Sequence, residues 1–97
     1  MAKYRLLLKA SAAKEIKKVG AKSDRRRIVE KIASLAGNPR AEGAEKLAGY
    51  DDRYRVRQGD YRIVYLIDDK ALTVTIYKVG HRKDIYRYSD GHVPRRG

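Results

Sequence analysis

Four arginines in the second half of the chain have the spacing of a phosphate-binding surface. Arg53, Arg55 and Arg57 occupy alternate positions, and Arg62 follows five residues after the last of them. Alternate residues of a β-strand point to the same face, so a strand here places three guanidinium groups side by side. A guanidinium group donates two parallel hydrogen bonds to a phosphate, which a lysine ammonium does not. The spacing therefore predicts a surface that binds a polyanion.

The positions of the turns determine which of these arginines lie opposite one another. With two-residue turns at Gln58-Gly59 and Asp69-Lys70, Arg55 faces Arg62, and Arg62 faces Tyr77 on the next strand. The same register pairs Arg57 with Asp60 and Arg53 with Val64. Like charges directly across a ladder destabilise the pair, so stability alone does not explain the arrangement. A solvated face with splayed side chains is the alternative, and a one-residue slip in register would remove the cluster.

A second group of candidate residues follows the last predicted strand. The segment Gly80-His81-Arg82-Lys83-Asp84-Ile85-Tyr86 offers an imidazole, a further guanidinium group and an aromatic ring. Imidazole changes its charge near neutral pH, and an aromatic ring stacks on an unpaired RNA base. We expect Tyr77 and Tyr86 to contact RNA. The alternative for His81 is an ordinary exposed histidine beside a basic cluster.

Three consecutive arginines, Arg25, Arg26 and Arg27, lie in the first turn of a predicted helix, where positive charge opposes the helix dipole. Contact with RNA or with an acidic partner explains such a run. A solvated run of charges explains it equally well.

Hydrophobic periodicity predicts the elements that carry these residues. Residues 3–9 form a strand, a helix capped by Ser11 runs to Gly20, and a second helix opens at Ser23-Asp24 and ends by Gly37. Alternation with a period of two predicts strands over residues 53–57, 61–68 and 71–79. The order is β-α-α-β-β-β. It predicts an α+β fold in which a two-helix hairpin packs on one face of a four-stranded, mostly antiparallel, twisted sheet.

The apolar positions of these elements predict the core. The helical stripes consist of Ala12, Ile16, Val19, Ile28, Val29, Ile32, Leu35 and Ala36. The core face of the strands carries Tyr54, Val56, Tyr61, Ile63, Tyr65, Ile67, Leu72, Val74 and Ile76. Residues 40–52 form a loop that Leu47 and Tyr50 anchor. We expect one domain over residues 1–97, with residues 89–97 as a flexible tail.

Composition restricts the classes of function. Twenty-four Lys and Arg against 12 Asp and Glu give a formal net charge of +12, which attracts nucleic acid through counterion release. The absence of cysteine, with only His81 and His92 present, excludes a thiolate or multi-histidine metal site, and we expect no cofactor. No apolar run approaches the roughly 20 residues of a membrane span. No signal peptide is recognisable, so we expect a cytoplasmic protein without membrane contact.

Four motifs cover the chain from Tyr4 to about Tyr88. They are YRVRQGDYRIVYLI from Tyr54, VGHRKDIYR from Val79, the opening YRLLLKASAAKEIKKV and the Leu47-Ala48-Gly49 element. On these motifs the chain resembles the RelE branch of the RelE/ParE toxin superfamily. The first motif is specific at the level of the superfamily and less specific between RelE and ParE.

The resemblance implies a fold like that of small microbial ribonucleases and a toxin that a cognate antitoxin holds inactive. RelE toxins enter the ribosomal A site and cut mRNA there, and the toxin–antitoxin complex usually represses its own operon. Contact with operator DNA is therefore expected only through the antitoxin complex. By motif, Arg55 and Arg57 match two basic positions of the family on the first hairpin strand. Arg62 matches the arginine of the second hairpin strand. Arg82 matches the arginine after the last strand, and Tyr86 the tyrosine that stacks on the RNA base.

The sequence departs from the family pattern at the two hairpin positions. The family has lysines there, one of them the proposed general base, whereas Arg55 and Arg57 are arginines, which stay protonated and are poor bases. His81 is the candidate for proton transfer, since the unperturbed pKa of histidine is about 6.5. The segment between Arg82 and Tyr86 is also shorter than in the family pattern.

These residues predict metal-independent cleavage in which the RNA 2′-hydroxyl attacks the adjacent phosphate. Arg55, Arg57, Arg62, Arg82, His81 and Tyr86 are the predicted catalytic residues. Arg53, Tyr77, Lys83 and Arg25–Arg27 are the predicted RNA contacts, with mRNA and ribosomal RNA as ligands. Three alternatives stay open: a ParE-like inhibitor of DNA gyrase, a plain nucleic-acid-binding module, and a degenerate toxin that acts as a co-repressor with its antitoxin.

Overall fold

The computed structural model describes residues 3–49 and 52–81, which form two helices and five strands. In chain order these are β1 Arg5–Leu8, α1 Ala10–Lys17, α2 Lys22–Ser34, β2 Glu45–Lys46, β3 Arg53–Gln58, β4 Tyr61–Asp68 and β5 Thr73–His81. The predicted anchor Tyr50, the predicted site residues Arg82, Lys83 and Tyr86, and the predicted tail at 89–97 lie outside the described residues.

The strands form one mixed sheet in the order β1-β5-β4-β3-β2. Strand β1 pairs in parallel with β5, and the other neighbours are antiparallel. The predicted α+β fold is confirmed, with one strand more than expected. Residues Glu45 and Lys46 pair with Arg55 and Tyr54 inside the predicted loop, and the N–H of Leu47 donates to the carbonyl of Arg53 at 2.8 Å.

Both helices begin one or two residues earlier than predicted. Lys9 and Ala21 are the N-cap residues, and neither helix has a side-chain cap, so the predicted cap at Ser11 is wrong. The helical stripes are confirmed at Ala12, Ile16, Val19, Ile28, Ile32 and Leu35, which are all buried. Val29 is 49% exposed and does not belong to the core.

The main core lies between the helix pair and one face of the sheet. Its strand residues are Val56, Ile63, Tyr65, Ile67, Val74, Ile76 and Val79. Tyr65 is fully buried, and its hydroxyl donates to the carbonyl of Pro39 at 2.6 Å, so the one polar atom of the side chain has a partner. Burial is the main cause that raises the pKa of Tyr65. Leu72 was expected in this core. It lies instead in the turn before β5, 40% exposed and with a φ of 55°.

The predicted turn between β3 and β4 is displaced by one residue at each end. The turn residues are Gly59 and Asp60, and Gly59 has a φ of 63°, a conformation that glycine adopts without steric cost. As a result Arg57 pairs with Arg62 and Arg55 pairs with Val64, a register two residues away from the predicted one. A shift of two residues keeps every side chain on its face, so the predicted arginine face survives the error.

Candidate nucleic-acid interface

Three arginines line one groove at the edge of the sheet. Arg57 and Arg62 are directly opposite each other on β3 and β4, and Arg55 lies two residues along β3 on the same face. The groove encloses about 470 Å³ and is also lined by Lys31, Glu42, Gly43, Glu45 and Val56. Arg57 is exposed and Arg62 is half-buried. We call this cavity the arginine groove; its cross-strand pair of cations suits an anionic ligand.

Arg55 is held by an acidic residue that the sequence pattern did not indicate. Its Nε and Nη2 donate to Oε1 of Glu45 at 3.0 and 2.8 Å. Glu45 lies across the β2–β3 pair, and its side chain is 65% exposed against 26% for Arg55. A Glu-Lys dipeptide carries no strand signal, so only the three-dimensional structure brings this carboxylate to Arg55. Glu45 orients the guanidinium group and offsets part of the positive charge of the groove.

Tyr77 lies away from the arginine groove, in a cleft of its own. The predicted pair of Arg62 with Tyr77 is wrong for two reasons. The turn before β5 spans four residues, 69–72, and not the predicted two, which shifts the register by two residues. A β-bulge in β5 then leaves Tyr77 without a partner on β4 and places Gly80 opposite Arg62. Tyr77 packs against the buried pair Leu47 and Val64. The cleft encloses about 460 Å³ and is lined by Lys9, Ser11, Glu15, Arg53, Tyr77 and Lys78. We call it the Tyr77 cleft.

Two cations lie over the ring of Tyr77. The guanidinium carbon of Arg53 is 4.9 Å from the ring centroid, and Nζ of Lys9 is 5.3 Å from it. Both distances are within the range of a cation–π interaction. The structure thus brings the predicted RNA contacts Arg53 and Tyr77 together and adds Lys9, which was not among the predicted contacts.

His81 lies on the helix side of the sheet. It pairs with Tyr61 at the end of β4, and the two rings meet edge to face with centroids 5.7 Å apart. Its surroundings form a small cavity of about 290 Å³ lined by Glu15, Lys18 and Val79 among others. None of the residues that line this cavity also lines the arginine groove. The structure therefore does not bring His81 together with Arg55, Arg57 and Arg62, and its catalytic role stays a prediction.

Arg25, Arg26 and Arg27 belong to the helix layer and do not line the arginine groove. Arg25 is half-buried, and its Nη1 donates to the carbonyl of Val19 at 2.9 Å, which ties the start of α2 to the end of α1. Arg26 and Arg27 are exposed. Arg25 thus has a structural contact of its own, and the RNA-binding role of the three stays a prediction.

Among residues 3–49 and 52–81, no group of three or more His, Asp or Glu is placed to hold a metal ion. No helix in these ranges is both long enough and apolar enough to cross a membrane.

Comparison with known proteins agrees with this fold. The family model described as the ParE toxin of the type II toxin–antitoxin system parDE matches residues 6–86. The mRNA interferase toxin RelE of Escherichia coli K12 is 35% identical over 81 residues, 81% of this chain and 83% of that protein. Toxin RelG of Mycobacterium tuberculosis is 53% identical over 34 residues, 35% of this chain and only 39% of RelG.

Solved structures give the same result. The toxin–antitoxin complex RelBE2 of M. tuberculosis contains a chain that matches with a TM-score of 0.74 and 27% identity, covering 84% of this chain and 94% of that one. A double arginine-to-alanine variant of E. coli RelE in the free state matches with a TM-score of 0.73 and 30% identity, covering 91% and 93%. The fold is thus that of the small toxins of type II toxin–antitoxin systems. Within that class, the chain belongs to the RelE/ParE superfamily as a RelE-type toxin.

Proposed function

We propose that this toxin is a ribosome-dependent endoribonuclease that cuts mRNA in the ribosomal A site. The observation that carries the proposal is the cross-strand pair of Arg57 and Arg62, which shares one groove with Arg55. Two arginines directly opposite each other lower the stability of the sheet, and binding of a phosphate in the groove would offset this loss. The relatives named mRNA interferase RelE add support.

The proposed reaction is attack of the RNA 2′-hydroxyl on the adjacent phosphate. The bond between phosphorus and the 5′-oxygen breaks, which leaves a 2′,3′-cyclic phosphate and a free 5′-hydroxyl. Negative charge grows on the phosphoryl oxygens, and Arg57 and Arg62 stabilise it while Arg55 binds the neighbouring backbone. We propose that Arg82 steadies or protonates the leaving 5′-oxygen and that Tyr86 stacks on the base, which keeps the attack in line.

The proposed reaction removes one proton from the 2′-hydroxyl and supplies one to the leaving 5′-oxygen. Arginines do not act as bases near neutral pH, and His81 lies on the helix side of the sheet. Free RNA is therefore expected to be a poor substrate, with the ribosome supplying the orientation of the reacting groups. If His81 accepts the proton, cleavage requires that its ring reach the RNA from the end of β5.

The partners follow from the same proposal. Several of the matched structures are toxin–antitoxin complexes, so we propose a cognate antitoxin as the protein partner. The net charge of +12 fits ribosomal RNA and an acidic antitoxin surface. Operator DNA would be bound only through the antitoxin complex, and the site of action is the cytoplasm.

The test is cleavage of a defined mRNA on stalled ribosomes, mapped by primer extension. We expect a cut in the A site with the unmodified protein and a loss of about 100-fold in rate with Arg62→Ala. Arg5→Ala is the matched control, because it removes an exposed arginine at the opposite edge of the sheet. A normal rate with Arg62→Ala, or an equal loss with Arg5→Ala, would contradict the assignment.

Inhibition of DNA gyrase is the second candidate, because the matching family model is described as a ParE toxin. It predicts inhibition of supercoiling by the purified chain and no cut in ribosome-bound mRNA. Arg62→Ala would leave this inhibition intact, since a gyrase inhibitor does not need the arginine groove. If the unmodified chain is not toxic, does not cut mRNA and does not inhibit gyrase, the remaining alternative is co-repression with the antitoxin. Operator-binding assays detect that activity.

A further inference from the structure

We propose that the Tyr77 cleft is a second contact for the sugar–phosphate backbone of RNA, in which Lys9 and Arg53 bind phosphate. This rests on the proposed function and extends its RNA-binding surface beyond the arginine groove. The sequence indicated Arg53 and Tyr77 as separate contacts, with Tyr77 as a ring that meets RNA. The structure gives them a different arrangement, in which the ring positions cations.

Two like charges converge on the ring of Tyr77. Lys9 follows the last residue of β1, and Arg53 is the first residue of β3. Both cations nevertheless lie within 5.3 Å of the centroid of the Tyr77 ring. Two cations that share a ring repel each other, and the negative face of the ring offsets part of that repulsion. Tyr77 is held in place because it packs on Val64 and Leu47. The ring thus keeps two phosphate-binding groups together.

The residues that line the Tyr77 cleft carry more positive than negative charge. Both oxygens of Glu15 have partners: Oε2 accepts from Nζ of Lys78 at 2.7 Å, and Oε1 accepts from the N–H of Val79 at 2.9 Å. Three of the lining residues, Lys9, Arg53 and Lys78, are cationic and one, Glu15, is anionic, so the lining carries a formal excess of positive charge. Ser11 adds a hydroxyl donor, and α1 begins at Ala10 without a side-chain cap, so its positive end adds to the same field.

The Tyr77 cleft and the arginine groove both contain residues of β3. Arg53 and Arg57 lie on the same face of β3, four residues apart, which is about 13 Å along the strand. That distance corresponds to about four stacked nucleotides. One RNA strand therefore spans the arginine groove and the Tyr77 cleft. The phosphates of RNA are evenly spaced along its backbone, whereas the carboxylates of an acidic peptide are not. RNA therefore fits two basic clefts along one strand better than an acidic peptide does.

The experiment measures binding without cleavage or ribosomes. Fluorescein-labelled 2′-O-methyl RNAs of about 3 and about 12 nucleotides are titrated by fluorescence anisotropy at several salt concentrations. The variant is Lys9→Gln with Arg53→Gln. The control is Arg5→Gln with Lys70→Gln, which removes the same charges from exposed positions near the β4–β5 turn.

We expect the cleft variant to bind the longer RNA more weakly than the control and to lower the slope of log K against log salt by about 1.4, which is two single-strand phosphate contacts. The shorter RNA should bind both variants equally, because it fills only the arginine groove. Tyr77→Leu should also weaken binding of the longer RNA, whereas Tyr77→Phe keeps the ring and should not.

Equal affinity and slope for the cleft variant and the control would overturn the proposal. So would a cleft variant that loses binding of a labelled hexaglutamate peptide and keeps RNA binding, since the cleft would then serve an acidic protein. The 2′-O-methyl RNA is not cleaved, so this test is independent of the proposed function. If the cleft variant binds the longer RNA more weakly but the unmodified protein does not cut ribosome-bound mRNA, the proposed function is refuted and the second RNA contact stands.

Discussion

Arg57 is an exposed arginine opposite a second arginine, and stability and activity should respond to its removal in opposite directions. We predict that Arg57→Ala raises the free energy of unfolding by up to about 1 kcal/mol, because it removes a like-charge cross-strand pair. Added salt should shrink the gain, since it screens exposed charges. Urea denaturation at low and high salt measures this, together with the cleavage rate, which should fall.

The matched variant is Arg57→Lys, which keeps the charge at the same position of β3. Its stability should equal that of the unmodified chain. A lower stability of Arg57→Ala than of Arg57→Lys at low salt would contradict the predicted repulsion between Arg57 and Arg62.

Glu45 competes with phosphate for Arg55, because Nε and Nη2 of the Arg55 guanidinium group both donate to Oε1 of Glu45. We predict that Glu45→Gln increases affinity for a 2′-O-methyl RNA and steepens its salt dependence by about 0.7 in log K against log salt, one phosphate contact. Stability should change by less than about 1 kcal/mol, because the pair is exposed on the Glu45 side. Fluorescence anisotropy over a salt series checks this. Weaker binding would mean that Glu45 serves chiefly to orient the guanidinium group.

The faces of these residues could be predicted from the sequence, but their partners could not. Alternation alone places Arg53, Arg55 and Arg57 on one face, and the structure agrees. Which residue faces Arg57 depends on one turn, and the turn at Gly59 and Asp60 was predicted one residue too early at each end. Tyr77 was misplaced because the turn before β5 has four residues where two were predicted, and because a β-bulge leaves no mark in a pattern of polar and apolar residues.

The segment that follows α2 is joined to the sheet through a buried tyrosine. The Tyr65 hydroxyl donates to the carbonyl of Pro39, and both residues are buried. We predict that Tyr65→Phe lowers the free energy of unfolding by about 1–3 kcal/mol, because the carbonyl loses its partner away from water. Tyr54→Phe is the control: its hydroxyl accepts from Nε of Arg40 at an exposed position. Urea denaturation compares them, and equal losses would contradict the role of burial.

At the scale of elements, strands and helices with a hydrophobic period were predictable and the short edge strand was not. The limits of β4 agree with the prediction to the residue, because the alternation continues from Tyr61 to Asp68. Strand β2 consists of two charged residues, and only backbone pairing with β3 defines it. Leu72 was expected in the core because it is apolar, but the turn before β5 spans four residues and takes it out of the strand.

The whole molecule separates its core from its basic surface by using the two faces of one sheet. The helices cover one face, and the other carries the arginines around the small apolar cluster of Leu47, Val64 and Tyr77. The order of elements was sufficient to predict this separation, because a helix pair has only one face of a small sheet to cover. The arginine groove and the Tyr77 cleft are each lined in part by helix residues, and they depend on side-chain contacts that the order of elements does not determine.

The last prediction concerns acid stability, which depends on a contact between distant parts of the chain. The Asp69 carboxylate accepts from Arg40 Nη2 at 2.8 Å and from the Tyr4 hydroxyl at 2.6 Å, so it ties the turn after β4 to the segment after α2 and to the start of the chain. The hydrogen bond from Arg40, followed by that from Tyr4, lowers the pKa of Asp69 from 3.8.

Because the folded-state pKa lies below the unfolded-state value, the contribution of Asp69 is complete above about pH 4 and is lost as the pH falls through the folded-state pKa. We therefore predict that Asp69→Asn is less stable than the unmodified chain at neutral pH and that the two stabilities converge in acid. Urea denaturation from neutral pH downward measures both. Asp60→Asn, in the other hairpin turn, controls for the loss of a negative charge. A constant difference between Asp69→Asn and the unmodified chain at every pH would show that the contact does not depend on the ionised carboxylate.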